Sequence, residues 1–595
     1  MDSVANSAIR IKTFDLSNEW LLSLRHYDKW HDWPVVYVLH EHEDTNNNKK
    51  MDLYVWETSS ASSRMNQHIL TDKRRLKKIE IIYDDTFNKS AILDIEQTLI
   101  KLFNADWKFN LLNWNWGQST SHNYYQRESY VSKIDIIWEK LKALKLCNDS
   151  IDKLRNSDLF KYSPYNSLTD EQEQVSKSII RDMITTLSKW EEWVSIINWW
   201  AWTWKTIVLI NMMYKLINAM NVNFDTAIDE DSDYSEYIQL IHDIKKFINE
   251  YNYGKPLKIA YVSQMDGLRN TIKFVFRQTK NWLKGDMALW PTHIATNYCD
   301  THEKFDIVFV DEAHRLCQYK NITWMWAYKT TAERCWMAPE NNTCLDFIMY
   351  WSKYRVLVYD SEQTVKWSDI TPEQFKKSLE WVNVKTYELT TQMRCKWWKT
   401  YIDYVKDILD NKPWLEKQEM ANWYEFKLYM DADKMINKIK ELNKKFDLCR
   451  NVCSESWQWK TKWKKWNEIK AQGLYDIEIN WKWYVWNTCV AWWLISPNAI
   501  NEIWCIHTVQ WYDLNYVWLI FWKEIDYDEK SDTIVTNKDV FRWEYIKRQA
   551  SAKKFHEYIL NAYKVIMTRW IKWCFVYAYN PWLRKYLRRF IDVVE

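Results

Sequence analysis

The run Val194-Ser195-Ile196-Ile197 leads through Asn198 into Trp199-Trp200-Ala201-Trp202-Thr203-Trp204-Lys205-Thr206, and an apolar segment, Ile207-Val208-Leu209, follows at once. A β-branched run closed by a polar break reads as a buried strand, and the segment after Thr206 reads as the start of a helix. Between them the chain must turn sharply, in a stretch dense with tryptophan. Such a turn asks for small side chains and free backbone angles, which glycine supplies and tryptophan does not.

The same mismatch runs through the whole chain. Its 595 residues contain 5 glycines and 43 tryptophans, whereas ordinary usage would give roughly 42 glycines. The tryptophans gather in polar, turn-like contexts such as Asn113-Trp114-Asn115-Trp116, Lys396-Trp397-Trp398-Lys399 and Gln510-Trp511-Tyr512-Asp513. We read most of them as glycines in the living organism: UGA codons assigned to glycine in its genetic code are here translated as tryptophan. The alternative is a chain genuinely rich in tryptophan.

With glycine restored, residues 199–206 become GGAGTGKT, a complete P-loop. Its glycines let successive backbone N–H groups wrap a triphosphate, and the following helix N-terminus adds positive potential. In that reading Trp199, Trp200, Ala201, Trp202, Thr203 and Trp204 form the cradle, Lys205 reaches the β- and γ-phosphates of ATP, and Thr206 ligates Mg²⁺. As written, four indoles would fill the cradle. About 100 residues on, Phe305-Asp306-Ile307-Val308-Phe309-Val310-Asp311-Glu312-Ala313-His314 is an apolar strand ending in two acids. Asp311 is placed to hold the metal and Glu312 to face the attacking water. A bare Asp-Glu is often only an acidic turn; paired with a P-loop it points to catalysis.

At these motifs the chain resembles the Schlafen-group DNA/RNA helicase domain of superfamily 1, over roughly residues 165 to 580. Leu168-Thr169-Asp170-Glu171-Gln172 resembles the adenine-reading Q motif, which implies Gln172 as the contact. Asp360-Ser361-Glu362-Gln363 resembles the motif whose glutamine senses the γ-phosphate, which gives Gln363 that role. Leu389-Thr390-Thr391-Gln392-Met393-Arg394 and Tyr563-Lys564-Val565-Ile566-Met567-Thr568-Arg569 resemble the motifs that contribute arginines, so Arg394 and Arg569 are implied to stabilise the transferring phosphoryl group. His507-Thr508-Val509-Gln510-Trp511-Tyr512-Asp513 resembles the motif coupling nucleotide state to the nucleic-acid strand, through Gln510 and His507; a core histidine is the other reading of His507. Ser263-Gln264-Met265 sits where this superfamily touches the strand backbone, or is a plain turn.

The N-terminal part resembles the GIY-YIG nuclease pattern, in Val35-Val36-Tyr37 and Leu53-Tyr54-Val55-Trp56-Glu57-Thr58, together with Arg64, His68, Glu96 and Asn113. Reading Trp56 as glycine turns the second motif into YVG; Val35 stands where the family carries glycine, and no codon argument changes it. The resemblance implies that Tyr37 or an activated water generates the nucleophile, with Tyr54 and His68 in the same pattern. Arg64 would steady the phosphate, Glu96 would hold a divalent metal and Asn113 would brace the site. The other reading makes Tyr37 and Tyr54 half-buried strand aromatics of a scaffold.

Composition bounds the rest. A net charge of +3, from 82 basic and 79 acidic residues, carries no partner information, so a nucleic-acid groove must come from local clusters. The Lys73–Lys78 and Lys460–Lys465 runs are candidates, or solvated faces. No apolar run reaches membrane-spanning length and no signal pattern opens the chain, from which we expect a cytoplasmic protein. The 11 scattered cysteines read as free thiols of a reducing compartment.

The expected fold class is α/β: two RecA-like P-loop NTPase lobes with parallel sheets, plus a small N-terminal α/β GIY-YIG-like domain. The expected divisions are an N-terminal segment 1–30, the nuclease-like domain 31–125, a helical connector 126–163, lobe 1 over 164–375 and lobe 2 over 376–595. The expected function is an ATP- and Mg²⁺-dependent DNA/RNA helicase or translocase coupled to a metal-dependent endonuclease. Single-stranded or branched DNA or RNA would be its partner, with no membrane. The alternative is a nucleic-acid-binding NTPase switch whose N-terminal domain does not cut.

Overall fold

The computed structural model describes residues 8–17, 33–41, 50–61, 75–113, 124–164, 166, 168–199, 205–221, 235–278, 283–320, 322, 324–364, 366–389, 398–418, 425–454, 457, 460–461, 468–469, 472, 475–479, 482–486, 499–509, 514–568 and 573–595. They fall into two compact units. One comprises residues 1–184, 206–256 and 274–285, the other 185–205, 257–273 and 286–595.

The first unit contains a five-stranded sheet of β1 (Arg10–Asp15), β2 (Val35–His40), β3 (Asp52–Thr58), β4 (Lys78–Tyr83) and β5 (Asn110–Leu111), in the order β1-β4-β2-β3-β5. The motif segments Val35–Tyr37 and Leu53–Thr58 lie in the central β2 and β3, whose register pairs Tyr37 with Trp56 and Leu39 with Tyr54. Helix α1 (Lys89–Asp106) follows β4, started by the Asn88 side chain, which accepts from the N–H of Ala91. Arg64 and His68 lie outside the described residues.

Helix α2 (Arg127–Ala143) opens the segment expected to connect domains, and it packs on α1. Its Lys133 is buried and donates to Asp84 Oδ2 at 2.7 Å. Thr86 Oγ1 donates to the other oxygen of Asp84 at 2.6 Å, and Tyr130 OH donates to the Thr86 carbonyl at 2.5 Å. A buried ion pair keeps its desolvated charges only when further hydrogen bonds complete it, as here. Helix α3 (Asp170–Ser188) lies in this unit as far as Ile184.

The second unit is built on two sheets. The first has six strands: β6 (Trp193–Trp199), β7 (Ile259–Ser263), β8 (Ala288–Leu289), β9 (Phe305–Asp311), β10 (Ser352–Tyr359) and β11 (Asn383–Leu389). Their order is β11-β6-β10-β9-β7-β8, and every pairing is parallel. All seven residues of β9 are buried, the near-continuous apolar reading of a parallel strand covered on both faces. Helices α4 (Pro291–Thr301), α5 (Met325–Arg334) and α6 (Cys344–Tyr350) contribute Ile294, Tyr328 and Phe347 to the core beneath it. The polar strand β11, past the lobe boundary expected near 375, joins this sheet at its edge beside β6.

The second sheet has eight strands: β12 (Glu425–Tyr429), β13 (Cys449–Cys453), β14 (Ile477–Ile479), β15 (Lys482–Trp486), β16 (Glu502–Cys505), β17 (Tyr516–Phe521), β18 (Trp573–Ala578) and β19 (Asp592–Val594). They run in the order β14-β15-β16-β13-β17-β18-β12-β19, parallel except for the β14–β15 pair. Ile559 and Ile566 of helix α7 (Ala552–Met567) lie in its core with Leu519 and Val576. The chain is thus mixed α/β with parallel sheets, as RecA-like lobes require.

Candidate functional site

In open parallel sheets, ligands bind beyond the carboxyl ends of the strands. Register aligns those ends here: Asn198 of β6 faces Tyr359 of β10, Leu357 of β10 faces Val310 of β9, and Ser263 of β7 faces Asp311. The segments after these strands therefore emerge side by side, at the roughly 4.8 Å spacing of a ladder. The sequence motifs occupy those segments.

Trp199 ends β6, its side chain outside the description, and Trp200, Ala201, Trp202, Thr203 and Trp204 lie outside the described residues. Lys205 opens the helix Lys205–Asn221, with half-buried Thr206 next. The Lys205 ammonium is 7% exposed and lies 3.4 Å from Asp360 Oδ2. The same oxygen accepts from Gln363 Nε2 at 2.6 Å, and the Gln363 N–H donates to the Asp360 carbonyl at 3.2 Å. One carboxylate thus holds the lysine and the glutamine, the two groups that sequence reasoning had aimed at the phosphates. Asp360 was missed as a site residue, although its signal was legible: it is an acid immediately after an apolar strand, as Asp311 is.

Asp311 is fully buried at the end of β9 and accepts from Tyr261 OH at 2.8 Å and from the Glu312 N–H at 2.9 Å. Glu312 has φ +50°, in the left-handed region. Side chains with a Cβ are strained there by about 1–2 kcal/mol, and such strain gathers where the surroundings fix a working geometry. Glu312 Oε2 lies 2.8 Å from Nε2 of buried His314, in contact but not in hydrogen-bond alignment. Next along the chain, Arg315 donates to Asp369 Oδ2 at 2.6 Å, and the N–H of Lys366 donates to the same oxygen. This pair clamps the turn after β9 to the segment after Gln363. His314 closes the motif stretch that begins at Phe305 without an assigned role, and Arg315 and Asp369 carried no motif signal.

Gln172 is buried at the start of α3. Its Oε1 accepts from the Thr169 N–H at 3.0 Å, while Thr169 Oγ1 accepts from the Gln172 N–H at 3.2 Å. That reciprocal arrangement is a capping box, so its amide oxygen is committed to the start of the helix. Ser263 is buried at the end of β7, and its Oγ accepts from the Met265 N–H at 3.3 Å, a turn that aims the chain away from the strand. His507 is half-buried in the turn after β16. Gln510, Trp511, Arg394 and Arg569 lie outside the described residues. Upstream of Arg569, buried Tyr563 donates to Glu524 Oε1 at 2.5 Å and accepts from the Trp522 N–H at 3.1 Å.

In the N-terminal sheet Tyr37 and Tyr54 are buried members of one apolar cluster. Asn113 spans Val55: its Oδ1 accepts from the Val55 N–H at 3.0 Å and its Nδ2 donates to the Val55 carbonyl at 2.5 Å. Glu96 is buried on α1. Arg64 and His68 are outside the described residues.

A strand-to-helix lysine and an acid pair on the carboxyl edge of an all-parallel sheet define the class, a nucleotide-hydrolase fold of the RecA-like kind. A family model described as "Schlafen group 3, DNA/RNA helicase domain" matches residues 196–580, and the chain belongs to that family. Membership places it among nucleic-acid-acting NTPases. The uncharacterized protein YPL245W of Saccharomyces cerevisiae is 24% identical over 458 residues, 71% of this chain and 91% of its own length. Among the described residues no helix is long and apolar enough to cross a membrane.

Proposed function

We propose that the chain is an ATP-dependent DNA/RNA helicase or translocase whose lobes, divided near residue 375, follow a nuclease-like domain over residues 31–125. The observation that carries the motor reading is the convergence of Lys205, Asp311, Glu312 and Gln363 on one sheet edge. The donor chemistry suits a magnesium nucleotide: the Thr206 hydroxyl and Asp311 carboxylate are hard oxygen ligands, and Lys205 and Gln363 supply N–H donors for phosphate oxygens. Bound Mg²⁺ would neutralise charge on those oxygens. Glu312 would orient and deprotonate the attacking water, and Arg394 and Arg569 would meet the transferring phosphoryl group.

The motor reading requires a loop that phosphates can enter, hence glycine at positions 199, 200, 202 and 204. Backbone geometry elsewhere supports the exchange. Trp107, Trp190 and Trp336 have φ of +59°, +59° and +60°, the region glycine favours. Trp107 caps α1, its N–H bonding the Phe103 carbonyl. After Trp190 and Trp336 the next N–H reaches back to Thr186 and Ala332, the bond of a Schellman cap, whose left-handed residue is ordinarily glycine. Mass spectrometry of the natural polypeptide tests this, since indole masses at 199–204 would end the motor reading. A nucleic-acid-stimulated ATPase assay on protein made with glycine at the recoded codons tests the activity.

For the first domain, the paired tyrosines, the Asn113 brace and buried Glu96 support a GIY-YIG-like scaffold. Loss of Mg²⁺-dependent cleavage in Glu96→Ala with ATPase intact would support nuclease action. The second reading, a non-cutting binding switch, is favoured by Val35 at the glycine position, and failure of the unmutated protein to cut any nucleic acid would support it.

A further inference from the structure

Cys299 lies near the end of α4, and Cys335 is the residue that closes α5. Their Sγ atoms are 2.6 Å apart. Cys335 is buried and Cys299 half-buried, so Cys299 is the more accessible of the pair. The adjacent residues repeat the match: Asp300 and Arg334 form an ion pair between the same two helices. Backbone carbonyls hold the thiols in place, Cys335 Sγ lying 3.6 Å from the Ala295 oxygen and Cys299 Sγ 3.8 Å from the Arg334 oxygen. Two thiols on separate helices, fixed by three further contacts, are placed for covalent joining rather than gathered by chance packing.

We propose that Cys299 and Cys335 are a thiol–disulfide exchange site that takes a low-molecular-weight disulfide such as oxidised glutathione and ends as an intrachain cross-link between α4 and α5. The half-exposed Cys299 loses its proton to solvent and attacks one sulfur of the small disulfide. A mixed disulfide forms and the first small thiolate leaves. Cys335 then attacks the Cys299 sulfur; the protein disulfide forms and the second small thiolate leaves, taking up the Cys335 proton. Two protein thiols are oxidised and one small disulfide is reduced to two thiols.

Burial, and then the Cys299 thiol beside it, push the Cys335 thiol up to about 12, with Arg334 pulling the other way. Cys335 is therefore a poor first nucleophile and reacts only once the mixed disulfide is presented to it. The cross-link would close a loop of 36 residues, which includes β9 and its terminal acids, and so constrain the unfolded chain. The site stands apart from the nucleotide chemistry and does not depend on it.

The test is incubation of the full-length protein with oxidised glutathione, quenching with N-ethylmaleimide and peptide mass spectrometry. The expected product lacks both maleimide adducts at 299 and 335, shows one linked peptide pair released by a phosphine, and unfolds at a higher temperature than the reduced protein. Cys335→Ser is expected to stop at a glutathionyl adduct on Cys299, and Cys299→Ser to leave Cys335 unmodified. Recovery of both cysteines as maleimide adducts, or a stable glutathione adduct on the unmutated protein with no linked pair, would overturn the proposal.

Discussion

Arg315 and Asp369 form an ion pair at 2.6 Å with both side chains almost wholly excluded from water. It joins the turn that follows β9 to the segment that follows β10, so a charge lost on either side leaves the other buried and uncompensated. Removing one partner of such a pair costs about 3–5 kcal/mol. Asp369→Ala is expected to lower urea-unfolding stability by that amount. A loss under about 1 kcal/mol, the range of exposed pairs, would mean the pair does not hold the turn.

Two of the left-handed tryptophans, Trp190 and Trp336, predict opposite outcomes from two buried ones. Trp336 is 96% exposed, so Trp336→Gly relieves about 1–2 kcal/mol of backbone strain and gives up almost no packing. Trp190→Gly should behave alike. Trp138 and Trp504 are fully buried, and their indole N–H groups donate to the carbonyls of Asp149 and Ala499. Truncating either should cost at least about 3 kcal/mol. Thermal unfolding of the four single variants checks the contrast, and stabilisation on truncating Trp138 would contradict it.

On the proposed function, Asp360, 3.4 Å from the Lys205 ammonium, would compete with phosphate for it. In protein with glycine at the recoded codons, Asp360→Asn removes that competitor and is expected to tighten nucleotide binding by about tenfold, or 1.4 kcal/mol. Calorimetric titration with a non-hydrolysable ATP analogue reads it. Unchanged or weaker binding would show that the carboxylate supports the nucleotide rather than standing in its place.

Glu192 links pH to stability. Burial alone would raise its pKa, but hydrogen bonds from Lys304 and Arg355 outweigh that and hold it below the ordinary 4.5. A group depressed in the folded state adds stability above its unfolded value, and loses it as pH falls through the folded value. Glu192→Gln should therefore weaken the protein at pH 7, with the difference from the parent shrinking below pH 4.5. A gap that persists undiminished once the carboxyl is protonated in both states would indicate a packing effect.

The strands at Val194 and Phe305 were legible because parallel strands bury both faces and read as unbroken apolar runs. The acids at Asp311 and Glu312 were legible because they end one of those runs. What stayed hidden depends on long-range pairing. Lys205 meets Asp360 across 155 residues of sequence, and nothing local to either predicts the other. Gln172 shows the local case: Thr169-x-x-Gln172 is a capping pattern in its own right, and the structure uses it as one. The polar strand β11 carries almost no apolar signal, since its edge position leaves most of its side chains in water.

The Lys133–Asp84 pair sets a rule for dissecting the molecule. Trimming the chain after residue 125 would remove the lysine and strand a carboxylate in the interior, along with the Tyr130 hydroxyl that braces Thr86. An excised N-terminal fragment should therefore carry the first helix of the supposed spacer with it, and a shorter one is expected to precipitate whatever its enzymatic competence.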